Sequence, residues 1–204
     1  MPRSSPTASP SDEELARRAQ QGSTASFEEL LRRFQTPVLQ FLQHRGAAAA
    51  AEDLLQETFI RAYVNLFRYR SRWRFATWLF TIARRVSLNH HRRRRPISGA
   101  AVESAECGAV GPAEAAAAAD SRQYLWDRAA QVLSQEELTA LWLHYVESMS
   151  TRDIATVLER SGVAVKTMIF RARRKLAPVL KELAPEGTVP GSRAAPARNN
   201  AWCA

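Results

Sequence analysis

The segment TRDIATVLERSGVAVKTMIFRARRKL, residues 151–176, contains two short amphipathic patterns separated by a glycine. Ile154, Val157 and Leu158 form one apolar stripe at helical spacing. Two short amphipathic helices joined by a tight turn with glycine form a helix-turn-helix. The second stripe follows the break at Ser161–Gly162 and consists of Val165, Met168, Ile169, Ala172 and Leu176.

The faces that the second stripe leaves open are mostly basic. A helix in the major groove reaches base edges from its N-terminal turns, and its flanking basic residues contact phosphates. A hairpin of helices inside a bundle, with a solvated basic face, is the alternative, but the density of basic residues favours DNA. The residues on these open faces are Lys166, Thr167, Phe170, Arg171, Arg173 and Arg174.

A second basic stretch, FRYRSRWRFATWLFTIARRVSLNHHRRRRP, occupies residues 67–96 and contains ten arginines and no carboxylate. Because the whole chain has a net charge of only +9, this block indicates a polyanionic partner, either nucleic acid or an anionic membrane surface. Aromatic rings among the arginines offer faces on which unpaired bases stack. Phe75, Trp78 and Ile82 have the spacing of a helix core, whereas Trp73 stands outside that stripe and is the better candidate for a base contact.

The stretch AEDLLQETF, residues 51–59, predicts a helix with a polar ridge opposite its apolar face. Glu52 and Gln56 are four residues apart, as are Asp53 and Glu57, so each pair lies on one side of the helix. Carboxylates do not favour DNA. The ridge is therefore either an ordinary solvated face or a docking site for a basic partner protein.

The pattern along the chain predicts an all-α protein with two small helical domains joined by a flexible linker, the second containing the helix-turn-helix. Residues 1–10 are rich in Pro and Ser and are expected to be disordered. The first domain is predicted for residues 11–95. Residues 96–119 have almost no bulky apolar side chain and are predicted to be the linker. The second domain is predicted for residues 120–183, and residues 184–204 are expected to form a disordered C-terminal tail.

Local signals set three expectations inside these domains. Ser11 and Glu14 fit a capping box, so order is expected to begin at Ser11. Pro37 lies within an apolar helical pattern and is expected to kink or interrupt it. Tyr145 is expected to face inwards near the end of QVLSQEELTALWLHYV, residues 131–146.

The sequence contains no motif of an active site or a metal site. It has no glycine-rich phosphate loop, no GxSxG and no HExxH. Cys107 and Cys203 are far apart and are interpreted as free thiols of a reducing cytoplasm, and the adjacent His90 and His91 diverge on a helix. The N-terminus has no apolar signal region, and no stretch reaches the ~18–20 apolar residues of a membrane span. We therefore predict a cytoplasmic, non-enzymatic protein without a cofactor, a metal or membrane insertion.

Three stretches, in this order, resemble one protein family. AEDLLQETFIRAY (51–63), FATWLFTIARR (75–85) and the arginine run after them are similar to region 2 of bacterial extracytoplasmic-function (ECF) sigma factors of RNA polymerase. LSQEELTALWLHYVESMSTRDIATVLERSGVAVKTMIFRARRKL (133–176) is similar to region 4 of the same family. The resemblance covers residues 11–183. It implies a promoter-specificity subunit that directs core polymerase to the −35 and −10 promoter elements and assists promoter melting.

The resemblance also implies roles for individual residues. The part that melts and reads the −10 element would use Arg68, Arg70, Arg72, Trp73, Arg74, Trp78, Arg84, Arg85, Arg92 and Arg93. The reader of the −35 element would use Ser161, Ala164, Lys166, Thr167, Met168, Arg171, Arg173 and Arg174. Docking on the clamp helices of the polymerase's largest subunit would use Glu52, Asp53, Gln56, Glu57 and Arg61. The implied partners are core polymerase, through the clamp helices and the flap, and promoter DNA; an anti-sigma factor is common in the family, although no residue here establishes one.

Some positions depart from the family's pattern. Glu159 and Arg160 stand where a small and then an apolar residue usually end the first helix of the helix-turn-helix. Arg85 and Asn89 stand where Asn and Asp are frequent, and Met168 occupies a place that is usually basic. Two other functions are weighed beside the leading one. They are a stand-alone helix-turn-helix regulator that binds duplex DNA without polymerase, and a nucleic-acid enzyme with a cryptic site.

Overall fold

The computed structural model describes residues 9–94 and 124–183, and every regular element within these two ranges is helical. We call the first range the first module and the second range the second module. The prediction of an all-α fold with two helical regions is confirmed. In chain order the helices are α1 Asp12–Gln20, α2 Thr24–Leu42, α3 Ala51–Val64, α4 Phe75–Arg94, α5 124–132, α6 Gln135–Tyr145, α7 Thr151–Leu158 and α8 Gly162–Leu183. The predicted linker and C-terminal tail, with both cysteines, and residues 1–8 lie outside the described residues.

Helix α1 begins where the sequence places an N-cap. The Ser11 hydroxyl accepts a hydrogen bond from the backbone N–H of Glu14 at 3.2 Å. The Glu14 carboxylate accepts hydrogen bonds from Arg17 and Arg18, at 2.7 and 2.8 Å, so only the Ser11 half of the predicted capping box forms. Two guanidinium groups within reach attract a carboxylate more strongly than one backbone N–H does.

Helix α2 runs through Pro37 without a break, so the predicted interruption does not occur. Phe34, Val38 and Phe41 are buried on both sides of the proline. This packing outweighs the roughly 3 kcal/mol that a proline costs inside a helix. The chain then passes through a π-helical turn, Gln43–Ala47, and a short 3₁₀ turn into α3.

Aromatic side chains hold α2 and α4 together in the core of the first module. Phe41 and Phe80 meet edge to face with their ring centroids 5.1 Å apart, and Phe34 and Phe75 lie 5.5 Å apart. Phe75 is the first residue of α4 and is buried. Its burial therefore fixes where the preceding loop must end.

The helix-turn-helix lies where the sequence predicts it. Ser150 caps α7 by accepting a hydrogen bond from the backbone N–H of Asp153, and α8 starts at Gly162. The two predicted apolar stripes are buried, except for the half-buried Met168. Tyr145 contradicts its prediction, because it is 56% exposed and packs under the guanidinium of Arg173, 5.3 Å from the ring centroid. The last turn of α6 extends beyond the core, so Tyr145 keeps the helical spacing of the buried residues but lies on the surface.

The two modules lie against each other. Helix α7 packs along α4, and α6 contacts the π-helical turn after α2. At this boundary the ring of His44 lies 4.2 Å from that of Trp142 and 5.7 Å from that of Trp126, between centroids. The sequence had suggested two regions separated by a linker, and it contained no signal for this contact.

Candidate nucleic-acid interface

A loop rich in arginine connects α3 to α4 and is anchored from inside the first module. The side chain of Tyr69 is buried, and its hydroxyl donates a hydrogen bond to the backbone carbonyl of Trp73 at 2.8 Å. Burial raises the pKa of Tyr69, so the phenol stays protonated and remains a donor. From α1, the side-chain amide of Gln20 donates to the carbonyls of Leu66 and Tyr69, both at 2.8 Å. The loop backbone is thus fixed, while its arginines are exposed: Arg68, Arg70, Arg72 and Arg74.

Trp73 is half-buried in this loop, so part of its ring remains accessible. The guanidinium of Arg72 lies over the ring, 5.4 Å from its centroid. Arg68 is placed in the same way over the exposed ring of Phe67, at 5.3 Å. Stacking of this kind keeps a cation and a flat ring together at the surface. One such pair can therefore offer a charge to a phosphate and a face to a base.

An open pocket of about 230 Å³ lies beside the loop. The half-buried Trp78 packs against Tyr69 and Phe75, with ring centroids 5.4 and 5.6 Å apart, and also lines the pocket. Trp78 therefore belongs both to the core and to a surface site. Guanidinium groups beside an indole suit a ligand with negative charge and a flat ring, and an unpaired nucleotide has both. The pocket is lined by Arg61, Asn65, Arg68, Trp78, Ile82 and Arg85.

The remaining arginines of α4 differ in their exposure. Arg92 and Arg93 are exposed near the end of the helix. Arg84 is only 8% exposed, and its guanidinium lies 3.8 Å from the carboxylate of Glu136 in the second module. Arg85 is exposed but pairs with another carboxylate of the second module. In this arrangement α7 covers the side of α4 that carries Arg84, so the predicted DNA contact of Arg84 is not accessible.

In the second module the exposed face of α8 forms the basic surface. The Ser161 hydroxyl accepts a hydrogen bond from the backbone N–H of Ala164 at 3.2 Å and so caps the helix. Ala164 and Met168 are half-buried, and Met168 packs against the core. Neither of these two predicted contacts presents a polar side chain. The exposed residues on this helix include Lys166, Thr167, Phe170, Arg171, Arg173 and Arg174.

Two apolar side chains on the same helix extend the predicted set of contacts. Val163 is 75% exposed and Phe170 is 61% exposed. They are seven residues apart and therefore lie on one side of α8. On a helix that reads DNA, apolar side chains contact the methyl group of thymine. The sequence indicated this exposure, because both residues lie outside the buried stripe. Val163 was nevertheless not among the predicted contacts, and Phe170 was named only as an open-face residue.

The predicted docking ridge lies on α3. Glu52, Asp53 and Gln56 are exposed, and Glu57 forms an ion pair with Arg61. Large apolar side chains in one exposed group indicate a contact site for another protein. Sequence reasoning missed such a group because it followed the buried face and the polar ridge of the helix, and not the exposed apolar residues that continue beyond the ridge. The group continues from the ridge towards the loop and consists of Ile60, Tyr63, Val64 and Phe67.

Residues 9–94 and 124–183 hold neither a metal site nor a membrane-spanning helix. Within these ranges no three side chains of His, Cys, Asp or Glu are grouped so that they could hold a metal ion. No helix in the same part of the chain is long and apolar enough to cross a membrane.

Two family profiles match the chain, one on each module. The profile of Sigma-70 region 2 matches residues 27–97, and that of Sigma-70, region 4, matches residues 124–176. The RNA polymerase sigma-H factor of Pseudomonas aeruginosa is 33% identical over 186 residues, which cover 84% of this chain and 96% of that protein. The ECF RNA polymerase sigma-E factor of Haemophilus influenzae is 30% identical over 176 residues, or 81% and 93% of the two chains. The solved structure of CnrH in complex with the cytosolic domain of CnrY is similar with a TM-score of 0.63 and 25% identity, over 84% of this chain and 97% of that one.

Proposed function

The chain belongs to the extracytoplasmic-function group of the sigma-70 family of RNA polymerase sigma factors, and we propose here which of its surfaces carry out that function. As a sigma factor it is a promoter-specificity subunit of bacterial RNA polymerase and not an enzyme. A stand-alone regulator is not favoured, because the sigma-H relative aligns across both modules. We propose that it acts in the cytoplasm, with the polymerase that it serves.

The first module captures unpaired bases of the −10 element at the anchored loop and its pocket. This assignment is supported by the ring of Trp73 beside Arg72 and by the pocket that Trp78 lines. Each stacked base contributes about 1–3 kcal/mol, which helps to offset the cost of unpairing it. The exposed arginines hold the strand through its phosphates without regard to sequence. They include Arg68, Arg70, Arg72, Arg74, Arg92 and Arg93.

The second module reads the −35 element as a duplex, with α8 in the major groove. Lys166 and Arg171 are exposed and can reach phosphates or guanine edges, while Arg173 and Arg174 extend the charge along the helix. Phe170 offers an apolar surface to a thymine methyl group. The loop and pocket of the first module therefore suit unpaired DNA, and the regular helix face of the second module suits paired DNA.

The exposed face of α3 docks on core polymerase. Asp53 and Gln56 lie on a surface that repels DNA and adjoins exposed apolar side chains such as Ile60 and Tyr63. Protein interfaces combine such an apolar centre with a polar rim. The proposed contact is the clamp-helix region of the largest subunit, which the family resemblance implied.

A regulatory protein of the anti-sigma type is a further proposed partner. CnrH, which is similar to this chain across both modules, was solved with the cytosolic domain of another protein, CnrY. A partner that covered the α3 ridge or the −10 loop would keep this chain from polymerase or from DNA. Co-purification of a stable complex from the native cells would test this proposal.

The observation that carries the proposed assignment is the anchored loop with its exposed arginines and half-buried Trp73, next to the Trp78 pocket. The test is transcription in vitro with purified bacterial core polymerase and a genomic DNA library. We expect start sites at a defined set of promoters that core enzyme alone does not use. An absence of promoter-dependent transcripts with active core polymerase would overturn the proposed function.

A further inference from the structure

An exposed strip of three side chains runs along the first turns of α8. It consists of Val163, Thr167 and Phe170, all of which are exposed. The spacings of four and then three residues place the three side chains on one side of the helix. None of them belongs to the core that the described residues form. We call these three residues the apolar strip, because two are hydrocarbon side chains and the third contributes a methyl group.

Thr167 contributes its methyl group because its hydroxyl is used inside the helix. The hydroxyl of Thr167 donates a hydrogen bond to the backbone carbonyl of Val163 at 3.0 Å. A threonine in a helix commonly bonds back to the carbonyl four residues earlier, and its proton is then not available to a base edge. The methyl group is the other branch of the same side chain. Thr167 therefore extends the apolar surface between Val163 and Phe170.

Side chains that read the amino groups of adenine and cytosine are missing from this part of α8. Adenine is read by Asn or Gln, and the amino group of cytosine is read by Asp or Glu. Residues 162–181 contain none of these four residue types. The Ser161 hydroxyl at the start of the helix is occupied by the backbone N–H of Ala164. The polar readers that remain on α8 are basic, and basic side chains suit guanine.

Basic side chains also surround the apolar strip. On a helix of 3.6 residues per turn, Lys166 lies on one side of the strip and Arg171 lies on the other. Arg174 continues the line of the strip one turn beyond Phe170, and all three cations are exposed. Apolar groups among cations suit an apolar ligand that is set in a polyanion. The C5 methyl groups of thymine, which lie in the major groove between the phosphates, are such a ligand.

We propose that the apolar strip reads the C5 methyl groups of pyrimidines, so that the −35 element of this chain is recognised through thymines beside a guanine. This inference rests on the proposed function, because it takes α8 as the helix in the major groove. From Val163 to Phe170 the helix advances about 10 Å, at about 1.5 Å per residue. Base pairs follow one another every ~3.4 Å. The strip therefore covers about four consecutive base pairs, in which adenine and cytosine occur as the partners of the bases that are read.

The experiment uses the full chain bound to purified bacterial core polymerase and a pool of short duplexes with a randomised centre. One pool contains thymine, and a second contains uracil, which lacks only the C5 methyl group. Bound duplexes are selected from each pool and sequenced, and core polymerase alone gives the background. We expect thymine runs to be enriched in the first pool and the corresponding uracil runs not to be enriched in the second.

Single methyl groups are then removed and restored in the best duplex of the thymine pool. Uracil in place of one read thymine should lower the affinity about fourfold, the effect of one buried methyl group. Cytosine at the same position should bind weakly, and 5-methylcytosine should bind about fourfold more tightly than cytosine, because it carries the same methyl group.

Variants of Thr167 separate the effect of its methyl group from that of its hydroxyl. Thr167→Ser keeps the hydroxyl, and the thymine-to-uracil ratio of affinities should fall to about one at the position that this residue reads. Thr167→Val keeps a methyl group in its place, and the ratio should stay at about fourfold. Phe170→Ala should abolish the preference at a second position. Arg174→Ala is the control, since losing a phosphate contact should weaken binding to both duplexes by the same factor.

Equal affinities for the thymine and uracil duplexes would overturn the inference. A thymine preference that both Thr167→Ser and Phe170→Ala leave unchanged would also overturn it. Circular dichroism checks the helices of each variant, and the two positions are tested separately, so one remains informative if the other variant unfolds. In both cases an enriched sequence would still support duplex recognition and leave the proposed function standing. If neither pool yields a sequence beyond the background, duplex reading by this chain fails, and the inference fails with it.

Discussion

The two modules present positive charge to solvent in different ways. In the second module, different side chains of α8 form the core and the basic surface. The apolar stripe of α8 is buried, and Lys166 and Arg171 lie on its exposed side. In the first module the same side chains serve two purposes, because Trp78 is part of the core and also lines a pocket. A regular helix face fits the regular groove of duplex DNA. An anchored loop with a pocket fits single bases that have left the duplex.

The modules also differ in how many of their basic side chains are paired with carboxylates. Arg84 and Arg85 of α4 face carboxylates of the second module, whereas the basic side chains of α8 such as Lys166 and Arg171 are exposed. The proposed −35 surface is therefore exposed in this arrangement, and the proposed −10 surface is exposed only in part.

The largest expected effect tests whether the α3 ridge is separate from both DNA surfaces. Asp53→Arg combined with Glu57→Arg reverses two charges on the proposed polymerase contact, and should weaken binding to core polymerase about a hundredfold or more, because like charges across an interface cost several kcal/mol. Fluorescence anisotropy of labelled protein with core polymerase, without DNA, measures the loss. Glu28→Arg reverses an exposed charge on α2 and serves as the control. Normal polymerase binding by the double variant would remove α3 from the proposed interface.

The next effect concerns the first module alone. Trp73→Ala removes an accessible ring from the anchored loop and should slow promoter opening by roughly 10- to 100-fold, the equivalent of one lost base stack. The affinity of the holoenzyme for duplex promoter DNA should change less than about twofold. Opening is followed by the fluorescence of 2-aminopurine placed in the −10 element. An equal loss in both measurements would contradict the division between the modules.

A smaller effect is expected in the second module. Lys166→Ala or Arg171→Ala should lower the affinity for the −35 duplex about fivefold, and the slope of log K against log salt should become shallower by about 0.9 if a phosphate contact is lost. Phe170→Ala is the matched comparison, because it removes an apolar contact. It should lower the affinity without changing the slope. Equal slopes for all three variants would mean that the two basic residues do not contact phosphates.

The smallest effect is a dependence of stability on pH that has its source in the second module. Burial raises the pKa of Glu147, between α6 and α7, from the usual 4.5 to about 7. A carboxyl group with a raised pKa in the folded state stabilises the fold below pH 4.5, and this contribution is lost as the pH rises through 7. The loss should be on the order of 1 kcal/mol, since the side chain keeps some contact with solvent. In Glu147→Gln, urea unfolding at pH 5 and pH 7.5 should show a smaller difference than in the unmodified chain; an identical difference would exclude Glu147 as its source.

Much of the fold and part of the site follow from local patterns in the sequence. Several features were predictable because they depend on spacing along one helix or on a cap. They are the N-cap of α1 at Ser11, the start of α8 at Gly162, the buried stripes of α7 and α8, and the exposed arginines of the loop. The exposure of Tyr145 was not predictable, because periodicity says which residues share a face but not where the core ends. The uninterrupted α2 at Pro37 likewise depended on packing from outside the helix.

The amino-acid order alone thus specifies helices, caps, the concentration of arginine and the family to which the chain is similar, since these depend on neighbours within a few turns. Three-dimensional packing is what makes Trp78 both core and pocket wall, gathers Ile60 and Tyr63 into an apolar surface, and buries Arg45 between the modules. The ion pair of Arg85 with Glu159 joins residues 74 positions apart. No local pattern encodes such a contact, because its free energy exists only once two separately formed surfaces have met.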